Sequence, residues 1–198
     1  SDTGAGKDGL AATIAGRYAS DNLAYVILVG DSADLPVMQT SPNPTDTRYA
    51  LLAGDDLYHD LLISRIPASN PTQIANQLGK LVAYEKTPAA PGADVWYSKA
   101  LFVGSNEGAS KSPFYLADWQ HLNLERDKLL ADGYTQVDQV YDPGATVSEV
   151  TTAWNAGRNL VYYLGHGTET AWNTTGFSVA QATALTNGSA LPFVVNGN

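Results

Sequence analysis

Short, nearly continuous apolar runs recur along this chain at spacings that suit crossover helices. Ala24–Gly30 is the first, Asp60–Pro67 the second, Lys99–Gly104 the third and Asn159–Gly165 the fourth. A strand buried on both faces reads this way, because neither face needs polar residues at alternate positions. Thr135–Tyr141 alternates instead, as a partly exposed strand does, and Leu191–Val195 begins another. The stretches between them carry helical signals. Asn70 is placed to cap a helix whose first residue is Pro71, with Ile74, Leu78, Leu81 and Val82 on one face. Leu116, Trp119, Leu122, Leu129 and Leu130 trace a second apolar stripe. Thr146 and Glu149 have capping-box spacing ahead of Val150 and Trp154. Strand and helix in alternation predict an α/β fold, a mainly parallel sheet with helices on both faces.

Thr87–Ala93, built from Pro, Gly and Ala, interrupts this alternation. It predicts two parts, an N-terminal α/β subdomain over residues 1–90 and the start of a second over 91–198. Gln39–Thr47, rich in Pro, Ser, Asn and Thr, reads as a long surface loop.

Composition excludes several classes of function. Twenty acidic against eleven basic residues leave a formal charge of −9, which argues against nucleic acid as a partner and favours approach of a cationic ligand. No apolar run nears the ~20 residues of a membrane-spanning helix. With no cysteine there is no disulfide, no thiolate metal site and no cysteine nucleophile within these 198 residues. Gly6-Lys7-Asp8 lacks the upstream glycine and the following Ser or Thr of a phosphate loop, and Gly165-His166-Gly167 lacks the third glycine of a dinucleotide fingerprint. His166 and Glu169 offer two metal ligands without a second histidine, and there is no Gly-x-Ser-x-Gly elbow.

In an open parallel sheet, ligands meet the carboxyl ends of the strands. That rule nominates Gly30-Asp31, Ser105–Gly108, Gly165–Thr170 and whatever follows Val195 as four loops on one edge. His166 stands out because it sits between two glycines directly after a strand, where another backbone or a substrate can approach the ring. A neutral imidazole there can act as a general base or pair with a thiolate; a turn histidine bonded to a nearby carbonyl is the alternative. Glu107 can orient that ring, or be a solvated loop acid. Asp118, near the start of the second predicted helix, can serve the helix dipole or a substrate. His59 and His121 read as surface or helix-flank residues.

Gly165–Trp172 (Gly-His-Gly-Thr-Glu-Thr-Ala-Trp) resembles the histidine motif of the gingipain family of cysteine peptidases. Leu23–Asp31, Gly54–Pro67, Tyr141–Gly144 and Leu191–Phe193 resemble further blocks of that family in the same order, so the likeness runs from Leu23 almost to the end of the chain. It implies a caspase/hemoglobinase-like α/β fold with two side-by-side subdomains, the second incomplete here. It implies a cysteine endopeptidase in which His166 is the catalytic base, Gly167 gives a backbone N–H to the oxyanion, and Glu107 orients the histidine. Asp118 matches the acid of the primary specificity pocket, which implies a preference for Arg or another basic residue at P1. The resemblance further implies a peptide or protein substrate and a secreted or cell-surface location. It implies no required cofactor, but structural calcium, for which Asp55 and Asp56 offer oxygen ligands; a solvated turn is the alternative.

One departure stands out. The family pattern continues from Leu-Pro-Phe through a short segment carrying the cysteine and then reaches a sequence like Asn-Gly-Asn, whereas here Val195 runs straight into Asn196-Gly197-Asn198. This reading puts the missing segment between Val195 and Asn196, with the remainder of the catalytic domain in cis or on a separate chain. A pseudo-peptidase that binds peptides without cleaving them, and a sortase-like transpeptidase, are the alternatives.

Overall fold

The computed structural model describes residues 6–38, 44–86, 96–110 and 115–197. The chain divides into two compact units, residues 1–83 and 84–198, each built on its own parallel sheet. The Pro/Gly/Ala segment expected to separate them falls outside the described residues, as does most of the expected surface loop at 39–47.

In the first unit, helix α1 (Gly6–Asp21) leads to strand β1 (Tyr25–Val29), a 3-10 turn (Thr47–Ala50), strand β2 (Leu62–Ile66) and helix α2 (Pro71–Lys86). β1 and β2 pair in parallel, from Tyr25 opposite Leu62 to Val29 opposite Ile66. Leu28, Leu61, Tyr49 and Ala50 close a core against Leu10 and Ile14 of α1. Arg65 ties the carboxyl edge together: its guanidinium grips both oxygens of Asp46, at 2.7 and 2.8 Å, and donates to the Gly30 carbonyl at 2.9 Å. α2 starts as its sequence predicts, with Asn70 Oδ1 accepting the Gln73 N–H at 3.0 Å. Its apolar stripe differs from expectation. No residue of α2 is buried, and Leu78, Leu81 and Val82 stay exposed. Helical spacing decides which residues share a face, but the described residues leave that face uncovered.

The second unit explains the apolar runs of the sequence. Strands β3 (Lys99–Gly104), β4 (Gln136–Tyr141), β5 (Leu160–Leu164) and β6 (Phe193–Gly197) form one all-parallel sheet in the order β4-β3-β5-β6. Side chains alternate across the central strand β3. Leu101 and Val103 pack with Val150, Ala153 and Trp154 of helix α4 (Val147–Asn155), while Ala100 and Phe102 pack with Leu122 of helix α3 (Asp118–Ala131). Both faces are covered, so every position of β3 from Ala100 to Gly104 is buried and the strand needs an unbroken apolar sequence. α4 opens on the predicted capping box, Thr146 Oγ1 accepting from the Glu149 N–H and Glu149 Oε2 from the Thr146 N–H at 3.0 Å. A short helix α5 (Val179–Thr183), for which no sequence signal was read, precedes β6.

One expectation is corrected here. Gly30-Asp31 does not share an edge with the other three nominated loops, because β1 pairs with β2 in a separate sheet. Its carboxylate is occupied locally, accepting from Ser69 Oγ at 2.9 Å and the Ala33 N–H at 3.3 Å. β6 pairs with β5 along its whole length. Val195 pairs with Tyr162, Asn196 with Tyr163 and Gly197 with Leu164 in unbroken register. Among the described residues no helix is long and apolar enough to cross a membrane.

Candidate active site

The strand order positions the site. From β3 the chain moves outward to β4 on one side, then returns to place β5 and β6 on the other. The loops leaving β3 and β5 therefore diverge at their carboxyl ends, and a crevice opens between them, the usual place for a ligand in such a sheet. The edge is closed by main-chain bonds beyond the strands: Ser105 N–H to Leu164 O at 2.9 Å, Asp142 N–H to Gly104 O at 3.0 Å and Gly165 N–H to Gly197 O at 3.1 Å.

Glu107 and His166, 59 residues apart in sequence, meet at this point: His166 Nδ1 contacts Glu107 Oε2 in a short hydrogen bond. The pair is largely exposed, with side-chain accessibilities of 75% for His166 and 56% for Glu107. The carboxylate holds the imidazole by Nδ1 and leaves Nε2 facing outward for chemistry, the arrangement a base needs from its orienting partner. Glu107, first through the hydrogen bond and then through its charge, raises the His166 pKa above the ordinary histidine value, with a smaller contribution from Asp118. Asp142, at the carboxyl end of β4, is a further acid on this edge; burial and then Glu107 push its carboxyl up.

The sequence also explains why His166 stands where it does. Tyr163 is fully buried in β5, and its hydroxyl donates to the His166 carbonyl, which also accepts the Asn173 N–H at 3.0 Å. Trp172 stacks flat on the Tyr163 ring, 4.5 Å between centroids and 4° between planes, and its Nε1 donates to Asn196 Oδ1 of β6 at 3.0 Å. The turn is narrow at Gly165. A Cβ there would lie 2.9 Å from Ser105 Cβ and 3.0 Å from both Thr174 Oγ1 and the Tyr163 hydroxyl. Gly167 and Trp172 form an antiparallel bridge, and the Gly167 N–H has no acceptor among the described residues.

Asp118 is the first residue of α3, and it is also brought to the site. Its N–H donates to the Glu107 carbonyl at 2.9 Å, and its Oδ2 accepts from Ser105 Oγ at 2.5 Å. Four of the six residues singled out for a site thus lie together: Glu107, Asp118, His166 and Gly167. The other two are Asp55 and Asp56. They lie in the first unit on an exposed turn where Asp56 Oδ1 accepts the Tyr58 N–H at 2.9 Å, and no group of three or more His, Cys, Asp or Glu among the described residues can hold a metal. His59 is exposed and His121 lies half-buried on α3. Ser105, Tyr163 and Trp172 were not singled out as site residues; their one sequence signal was their place within or beside the strand-end blocks.

A solvent-facing imidazole held by a carboxylate thus lies in the same loop as a backbone N–H with no acceptor among the described residues, at the switch point of a parallel sheet, and the fold is caspase-like α/β. The chain belongs to peptidase family C25, whose family model matches residues 6–197. It is similar to gingipain R2 of Porphyromonas gingivalis, 35% identical over 183 residues covering 90% of this chain and 25% of the relative. It is 26% identical over 187 residues to Lys-gingipain of the same organism, covering 91% of this chain and 10% of that one. Among solved structures it resembles the crystal structure of the Arg-specific cysteine proteinase gingipain R, with a TM-score of 0.87 and 31% identity over 96% of this chain and 44% of the other. The chain thus spans a quarter or less of these curated relatives.

With its negative charge removed, Glu107 no longer favours the protonated ring, so Glu107→Gln is expected to lower the His166 pKa. Any stability linked to this contact follows the usual sign for a raised histidine: it is present below the unfolded-state pKa and is lost as pH rises through the raised value. An NMR titration of the His166 ring in the two proteins checks this; an equal or higher value in the variant contradicts it.

Proposed function

We propose that this chain carries the histidine, oxyanion and specificity elements of a cysteine endopeptidase that cleaves peptide bonds after basic residues. The observation that supports it most is the Glu107–His166 contact at the crevice between β3 and β5, next to the carboxyl end of β6. In this reading the nucleophilic cysteine comes from a segment outside these 198 residues that reaches the carboxyl end of β6, in cis or as a separate chain.

The cysteine thiolate attacks the scissile carbonyl carbon, and the carbonyl oxygen takes up negative charge as the tetrahedral intermediate forms. The Gly167 N–H, which has no acceptor among the described residues, donates to that oxygen. His166, protonated at Nε2 and held at Nδ1 by Glu107, gives its proton to the departing amine as the C–N bond breaks. The neutral ring then takes a proton from water, whose oxygen attacks the thioester; collapse releases the acid and the thiolate. Glu107 favours the imidazolium throughout, which also favours the thiolate beside it. The Asp118 carboxylate receives the cationic P1 side chain, consistent with the chain's charge of −9. The two units act as an N-terminal subdomain and a catalytic one, and the reading includes secretion or display at the cell surface, as the gingipain resemblance implies.

The test is hydrolysis of peptides bearing Arg, Lys or a neutral residue at P1 by the full-length protein, with products identified by mass spectrometry. Cleavage after Arg or Lys supports the reading. Binding without turnover contradicts it in favour of a pseudo-peptidase, and transfer of the acyl group to an added amine in place of hydrolysis favours a transpeptidase.

A further inference from the structure

One side chain in the site has both halves of its hydroxyl engaged and has not been assigned a role. Ser105 is only 3% exposed, at the point where β3 gives way to its loop. Its Oγ donates to Asp118 Oδ2 at 2.5 Å and accepts the Glu107 N–H at 3.1 Å. Its main chain is fixed as well, the N–H on Leu164 O at 2.9 Å and the carbonyl accepting the Trp119 N–H at 3.1 Å. It therefore touches the loop that carries the histidine's orienter, the first turn of α3 and the end of β5 at once.

Asp118 shows what this arrangement leaves open. No Lys, Arg or His lies in ion-pair distance of its carboxylate among the described residues. One oxygen is held by Ser105, while Oδ1 makes no hydrogen bond among those residues and lies against Gly108, 3.1 Å from where a Cβ on that glycine would stand. A half-buried carboxylate held by one oxygen, with the other unpaired, is set for a cation to complete.

We infer that Ser105 is a positioning residue for cationic recognition: its buried hydroxyl fixes the Asp118 carboxylate so that Oδ1 meets the guanidinium or ammonium of the substrate, and the same atom anchors the backbone of Glu107. The inference rests on the peptidase reading with a basic P1 residue. It gives Ser105 a function that a packing residue would not have, because losing the hydroxyl frees Asp118 to rotate away from the cation while the strand and helix remain in place.

The experiment compares the full-length protein with Ser105→Ala, Asp118→Asn and the double variant. The substrates are two peptides differing only in Arg or its neutral isostere citrulline at P1. Ser105→Ala is expected to lower the Arg-to-citrulline ratio of kcat/KM about tenfold, chiefly through KM for the Arg peptide, as loss of a charge-assisted hydrogen bond to the recognising carboxylate would. In the Asp118→Asn background the same substitution is expected to leave the ratio unchanged. An unaltered ratio in Ser105→Ala, with both peptides slowed equally, overturns the inference, and so does an equal effect in both backgrounds. If the unmutated protein cleaves neither peptide, the peptidase reading fails by itself. Calorimetric binding of agmatine then decides the Ser105 inference: binding about tenfold weaker in Ser105→Ala supports it, and equal or absent binding overturns it.

Discussion

His166→Ala in the full-length protein is expected to lower kcat/KM for peptide hydrolysis by about a thousandfold or more, the range set by removing a positioned acid–base group. The size follows from how little else on this edge can do its work. Of the three histidines, His59 lies on the exposed turn of the first unit and His121 on α3, and neither is bonded to Glu107. The carboxylates at the edge, Glu107, Asp118 and Asp142, cannot stand in, since two already hold other groups and all three carry the wrong charge to steady a thiolate. Because the ring is exposed, the substitution leaves the fold intact, and thermal unfolding of the variant matching the unmutated protein confirms that only chemistry is lost. Retained hydrolysis would remove His166 from the mechanism.

The second large effect is at Gly165, and it acts on both stability and rate. An added Cβ would sit 2.9 Å from Ser105 Cβ, with Thr174 Oγ1 and the Tyr163 hydroxyl at 3.0 Å, inside a buried turn whose φ of +154° disfavours side chains. None of these neighbours is the free end of a flexible chain; Ser105 and Tyr163 are held by the hydrogen bonds that define the site. Gly165→Ala is therefore expected to cost about 1–3 kcal/mol of unfolding free energy, the usual penalty of overpacking a close contact. A urea midpoint that falls with an unchanged slope reports it. Any relief of the clash moves the adjacent His166, and a displacement near 1 Å lowers kcat about a hundredfold. A variant with unchanged midpoint and rate would show that the turn is not as tight as described.

The fold was legible where burial leaves a local trace. β3 has to be apolar at successive positions because α3 and α4 cover its two faces, and so it is visible as a continuous run. Asn70, Thr146 and Glu149 are visible because caps are local chemistry. The stripe on α2 was a poor guide because spacing says which residues align, not whether another element lies against them. Partner choice between sheets was also hidden: β1 and β3 look alike as sequences, yet they belong to different sheets, so Gly30-Asp31 is not on the edge that carries His166.

The site was half legible. Flanking glycines and strand-end position marked His166 and Glu107, and the family resemblance joined them. Tyr163, Trp172 and Ser105 were not readable, because each acts through a contact that depends on where a distant element lands. Trp172 stacks on a strand residue and reaches Asn196 of the neighbouring strand; Ser105 matters through the first residue of a helix thirteen positions later.

The account centres on His166 working with a sulfur atom carried by a segment outside these 198 residues that reaches the carboxyl end of β6. Its most direct test is to label the full-length protein with a peptidyl-arginine acyloxymethyl ketone and find the modified residue by peptide mapping. The account predicts a single labelled cysteine in that segment, with labelling slowed in the His166→Ala protein. A label on a residue remote from that segment, or a protein that hydrolyses peptides and takes no label on sulfur, would contradict it.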